Sequence, residues 1–198
     1  AIVGMNVTQH DPIHKATIIP RGRALGLVLS LPERDQYSVT KAKYKSKIAM
    51  AMGGKVAEEI TFGAENVTSG AMSDIQQVSK IARAMVTRFG FSEKLGNIDY
   101  SNEQFSYLGP YNTGANNSPE TQEAIDAEVR NLVDEGYATA RRILTEKRDE
   151  VVRLAEGLEH ALDQKNGAPH ARPVAPQQIP EALALEQLHR HEEAAVVV

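Results

Sequence analysis

His10 and His14 stand four residues apart in His10-Asp11-Pro12-Ile13-His14, a spacing at which two imidazoles on a helix can share a metal ion. Pro12 sets against that reading. It removes a backbone donor and disfavours the α region for Asp11, so the pair should not share a helical face and the segment reads as a turn with surface histidines. Glu58-Glu59 offers two carboxylates, but neighbours on a helix point about 100° apart and cannot serve one another as acid and base. They read as solvated or structurally paired. Asp74 carries two readings. Ser73 with Gln76 three residues later resembles a capping box, which would put Asp74 in a first helical turn, where the helix dipole contributes roughly a few tenths of a kcal/mol. Alternatively, Asp74 is a carboxylate zinc ligand presented at a helix start, a reading that becomes attractive only with the surrounding Thr68-Ser69-Gly70-Ala71. His160, His170, His189 and His191 are scattered over a poorly patterned C-terminal part and read as a solvated tail. The sequence contains no His-Glu-x-x-His, no G-x-S-x-G and no glycine-rich P-loop. ATP binding within this chain therefore has no support.

The elements that must position these residues follow from periodicity. Ala16-Thr17-Ile18-Ile19 and Leu25-Gly26-Leu27-Val28-Leu29 are short β-branched or aliphatic runs, and Pro20-Arg21-Gly22-Arg23 between them has turn chemistry. This predicts one hairpin. After Pro32 the period changes: Tyr44, Ile48, Met52, Val56 and Ile60 recur every fourth residue and predict a helix that stops at Gly63. Gly53 and Gly54 inside it imply a kink or a close approach by another backbone. A turn-rich segment, 64–70, leads to a second helix with Ile75, Val78, Ala82, Met85, Val86 and Phe89 facing inward. Residues 90–117 read as loop. Ser118-Pro119-Glu120 starts a long amphipathic helix through Ile125, Val129, Leu132, Val133, Gly136, Ala140, Ile143 and Leu144. A further helical stretch carries Val151, Leu154, Ala155, Leu158 and Leu162. From residue 163 the composition shifts to a Pro-rich, poorly ordered tail, 163–198, with a short helix expected from Pro180 to about Glu193.

Composition narrows the function classes. Of 198 residues, 41% are hydrophobic and 24% charged, which is ordinary for a core-forming protein. A net charge of −4 gives no basic footprint, so nucleic acid is not expected as a partner. No apolar run is long enough to span a membrane. The absence of cysteine excludes disulfides and thiolate zinc sites. Ala1-Ile2-Val3-Gly4-Met5 is apolar, has neither a capping residue nor a basic leader, and reads as a helix cut from within.

Taken together, several segments resemble the protease domain of FtsH-type, membrane-anchored AAA+ proteases. They are His10-Asp11-Pro12-Ile13-His14-Lys15, Thr17-Ile18-Ile19-Pro20-Arg21-Gly22-Arg23-Ala24-Leu25-Gly26, Gly53-Gly54-Lys55-Val56-Ala57-Glu58-Glu59, Thr68-Ser69-Gly70-Ala71-Met72-Ser73-Asp74-Ile75, and Phe89-Gly90-Phe91-Ser92-Glu93-Lys94-Leu95-Gly96. Five motifs in order cover about residues 1–162 as one peptidase domain.

The resemblance implies a mainly α fold with a small β-hairpin near the N-terminus and a helical C-terminal scaffold. It implies a zinc-dependent metalloendopeptidase, driven by ATP through an AAA+ module outside this chain, acting on misfolded and membrane polypeptides. Asp74 matches the family's third zinc ligand. The His-Glu-x-x-His helix with the other two ligands and the general base belongs immediately upstream of Ala1, so this stretch alone should be inactive and holds no catalytic residue. Glu58 or Glu59 matches a family Glu near the metal. Ile18, Ile19, Gly22, Leu25, Gly26 and Leu27 match the substrate-binding edge strand, which can pair with almost any extended polypeptide. A homo-hexamer, membrane-anchored through upstream segments, is implied, with this domain on the cytoplasmic or organellar matrix or stromal side. The rival expectation is a non-catalytic assembly or regulatory module of such a ring; a helical scaffold unrelated to proteolysis would require the five motifs to coincide.

Overall fold

A computed structural model describes residues 1–19, 26–32, 36–101, 103–106, 109–112 and 117–166. The fold is mainly α with a small antiparallel sheet near the N-terminus, as expected. Short α1 (Ile2–Asn6) leads through a turn to β1 (Ile13–Thr17), which pairs with β2 (Leu27–Ser30). Then come α2 (Lys41–Phe62), α3 (Met72–Thr87), the hairpin β3 (Glu103–Ser106) and β4 (Gly109–Asn112), α4 (Pro119–Glu146) and α5 (Arg148–Asn166). Two single 3-10 turns, Ala64–Asn66 and Ser69–Ala71, join α2 to α3.

The long helices begin and end where local chemistry dictates. Thr40 caps α2, its hydroxyl accepting from the Lys43 amide at 3.2 Å, and Gly63 ends it with a φ of +84° that β-carbon-bearing residues avoid. Ser118 caps α4 by accepting from the Thr121 amide at 3.2 Å, with Pro119 at the first helical position. Ile48, Met52 and Val56 of α2, Val78, Ala82 and Met85 of α3, and Ala140, Ile143 and Leu144 of α4 form one core, which Ile2 and Val3 of α1 complete. Helix α4 lies so close to α2 that a β-carbon on Gly136 would sit 2.4 Å from Ile48 Cγ2. Gly53 likewise admits α1: a β-carbon there would meet Val3 Cγ2 at 3.2 Å. Of the glycine pair in α2, Gly53 thus marks a close approach.

Several expectations are corrected. Ile75 and Phe89 do not face inward; each is 41% exposed. Phe89 lies beyond the end of α3, where its ring stacks on Tyr44 at 5.3 Å between centroids. Ser73 is no cap: α3 starts at Met72 after Ala71, without a side-chain cap bond, although Asp74 does lie in its first turn. The stretch 90–117 holds a second hairpin, β3–β4, rather than loop alone. In the first hairpin the strands are displaced from the hydrophobic runs. β1 ends at Thr17 because its hydroxyl takes the Ile19 amide at 3.2 Å, so Ile18 and Ile19 follow the strand, and Gly26 precedes β2. Gly22, Leu25 and the turn Pro20–Arg23 lie outside the described residues, as does the tail from residue 167, including the helix expected at 180–193.

Candidate metal centre and its supports

Asp74 is half-buried in the first turn of α3. Burial raises its carboxyl above the usual range, because removing water disfavours the ion and no partner among the described residues compensates. A carboxylate held at that cost suits a cation ligand. It is nevertheless one ligand: among the described residues, no three His, Cys, Asp or Glu side chains are grouped to hold a metal ion. Tetrahedral zinc needs three protein ligands even at an open catalytic site, so the described side chains fit one position of a zinc shell and do not make the shell.

The two neighbouring glutamates diverge, as their helical offset requires. Glu58, 5% exposed near the end of α2, turns toward the connection that feeds α3. Its carboxylate accepts from the Thr68 amide at 2.8 Å and from the Thr68 hydroxyl at 3.2 Å. Glu59 turns the other way, onto α4. It accepts from the Tyr137 hydroxyl and, at 3.3 Å, from Arg141 Nη1, with Lys55 Nζ at 3.8 Å. The Glu59 bond holds the Tyr137 phenol above its usual value of 10.0, since it favours the protonated hydroxyl. Of the two, Glu58 is joined to the Asp74 segment and Glu59 braces the helical scaffold.

His10 and His14 are not on a helix. His10 Nδ1 lies 2.6 Å from the Asp11 carbonyl oxygen, to which its N–H donates, and exposed His14 sits at the bulge in β1. Asp11 pairs with Lys43 and accepts from Gln36 Nε2 at 3.1 Å. Hydrogen bonding by Lys43 holds the Asp11 carboxyl below its usual range, and the pair fastens the loop before β1 to the start of α2. On β2, Leu27 and Leu29 are 46% and 38% exposed on one face, continued by Leu31 at 45%. In a two-stranded sheet, each strand keeps one unpaired backbone edge. Tyr137 and Arg141 do not stand out in the sequence, and Thr68 does so only as part of a motif, because each acts through a contact ten or more residues away.

The sequence profile of peptidase family M41 matches residues 1–165. This chain belongs to that family. Its relatives include ATP-dependent zinc metalloproteases FtsH. That of Caulobacter vibrioides is 51% identical over 160 residues, covering 80% of this chain and 26% of the relative. That of Rickettsia bellii is 48% identical over 158 residues, covering 80% and 25%. That of Haemophilus influenzae is 48% identical over 151 residues, covering 75% and 24%. The chain thus spans about a quarter of the length of these M41 relatives. Among the described residues, no helix is long and apolar enough to cross a membrane.

Proposed function

We propose that this chain is the C-terminal part of the peptidase domain of an ATP-dependent zinc endopeptidase that degrades misfolded and membrane polypeptides. The carrying observation is Asp74, a half-buried carboxylate without a partner among the described residues, within the stretch 1–165 that matches peptidase family M41. In this reading Asp74 is the third zinc ligand, and a His-Glu-x-x-His helix encoded directly before Ala1 supplies the other two and the general base. Zinc, when bound, acidifies water toward a pKa of about 7 and polarises a peptide carbonyl. The chain's own parts are to present Asp74 from α3, to hold that turn through Glu58, and to offer the unpaired edge of the β1–β2 hairpin, around Ile18, Ile19, Gly26 and Leu27, to an extended substrate. Gly22 and Leu25, outside the described residues, are assigned to substrate binding by the family resemblance alone. Assembly as a homo-hexamer, membrane anchoring and the ATPase module belong to the whole protein, with this domain on the cytoplasmic or organellar matrix or stromal side.

The test is expression of the gene with its sequence upstream of Ala1, followed by zinc analysis after dialysis and cleavage of a fluorogenic peptide. The extended protein is expected to keep one zinc per chain and cleave. The 198-residue chain should neither retain zinc tightly nor cleave, and Asp74→Asn in the extended protein should weaken zinc by about 100-fold or more. Tight stoichiometric zinc on the 198-residue chain, or undiminished zinc in Asp74→Asn, overturns the ligand assignment. An extended protein that binds no zinc leaves the non-catalytic assembly module as the better account.

A further inference from the structure

Thr68 lies in the connection between α2 and α3, and its hydroxyl is used twice. It donates to the Glu58 carboxylate, 3.2 and 3.3 Å from the two oxygens, and accepts from the Gly70 amide at 3.1 Å. The Thr68 amide adds a third bond, to Glu58 Oε2 at 2.8 Å. Bonds to an ionised acceptor are the stronger kind, and Glu58 is almost fully buried at the rigid end of α2, so the anchor is firm. What it anchors is the 3-10 turn Ser69–Ala71, which runs straight into α3. No side chain caps α3: Ala71 stands at the capping position. The origin of its first turn, and hence of Asp74, is set by the bonds on residues 68–70 in place of a cap. Gly70 leaves these bonds room, since a β-carbon there would stand 3.1 Å from Thr68 Oγ1 and 3.7 Å from Glu58 Oε1.

We infer that Thr68 is a positioning residue for the metal centre, fixing through Glu58 and Gly70 where Asp74 meets the zinc ion. The inference rests on Asp74 being a ligand, as proposed above. Only a β-hydroxyl can donate to Glu58 and accept from Gly70 at once. Thr68 is itself exposed, so replacing it leaves the core intact.

The test uses the protein with its upstream sequence and reads Zn2+ affinity by chelator competition, the visible spectrum of the Co2+-substituted form, and thermal unfolding. Thr68→Val, which keeps the shape and loses both hydroxyl bonds, is expected to lower Zn2+ affinity about 10- to 100-fold. It should also alter the Co2+ ligand-field bands while the protein stays folded with a modestly lowered unfolding temperature, since Glu58 keeps its bond from the Thr68 amide. Thr68→Ser should restore both within about threefold of the parent, by the same reasoning. Gly70→Ala, which crowds the hydroxyl without deleting a donor, should weaken Zn2+ several-fold and serves if Thr68→Val fails to fold. Parental affinity and spectrum in both Thr68→Val and Gly70→Ala overturn the inference. If Asp74→Asn abolishes binding in the same series, that failure belongs to the positioning role alone; if Asp74→Asn also binds normally, it is the ligand assignment that falls.

Discussion

Half-burying a carboxylate with no compensating partner among the described residues is a cost the metal-free chain carries at Asp74. Its folded-state pKa is raised by burial, so the folded form binds its proton more tightly than the unfolded chain does. Below the ordinary value of 3.8 both states are protonated and the penalty vanishes; above the raised value both are ionised and the penalty is complete. Asp74→Asn should therefore stabilise the metal-free protein at pH 7 and change little at pH 3, as urea midpoints at the two pH values would register. Equal midpoints for parent and variant at pH 7 would mean that Asp74 is solvated after all. A bound cation is what would offset that cost, in keeping with the ligand role proposed for Asp74.

Among the elements, α2 and α4 meet most closely where Gly136 faces Ile48. A methyl there cannot fit without moving a helix. Gly136→Ala should cost about 1–2 kcal/mol net, the overpacking outweighing the roughly 1 kcal/mol by which Ala surpasses Gly in a helix. Gly157 on α5 has nothing within 4 Å of its would-be β-carbon, so Gly157→Ala should instead gain about 0.5–1 kcal/mol. Chemical denaturation of the pair should show opposite signs; a stabilising Gly136→Ala would refute the close contact. At this scale the sequence was widely legible. The four-residue recurrence of Ile48, Met52 and Val56, the stop at Gly63, and the Ser118-Pro119 start all have local causes, and local causes are what a sequence displays. The hairpin β3–β4 has none of them. Its strands are four residues long, and one contains Pro110, so neither alternation nor length announces it. Phe89 repeats the helical period but follows the last turn of α3, and periodicity does not say where a helix has ended.

In the whole molecule, Glu59 ties the first half of the chain to the second through Tyr137 and Arg141. Arg141 is 54% exposed, so its ion pair contributes little; the Tyr137 bond is the stronger tie. Tyr137→Phe should cost about 1–2 kcal/mol at pH 7. Because the folded phenol keeps its proton above the ordinary value of 10.0, this stabilisation is complete below pH 10 and is lost as the pH climbs through the raised folded value. The difference between parent and variant in urea should shrink as pH rises past that point. A difference that persists unchanged would assign the effect to packing instead. The site was legible only in outline from sequence. Asp74 stood in a motif that resemblance could match, whereas its support by Glu58 and Thr68 depends on how α2 ends and the chain reverses, which no window of neighbouring residues reveals.

Glu58 and Glu59 are consecutive on one rigid helix, one grasping the turn before α3 and the other the side of α4. The end of α2 is thus an axle with two spokes set about 100° apart. Inserting or deleting a single residue between Gly54 and Glu58 would swing both spokes through that angle and release both grips in one event. The segment should therefore tolerate substitution far better than a change of length, while the 3-10 turn Ala64–Asn66, which carries neither spoke, is the place where length can vary.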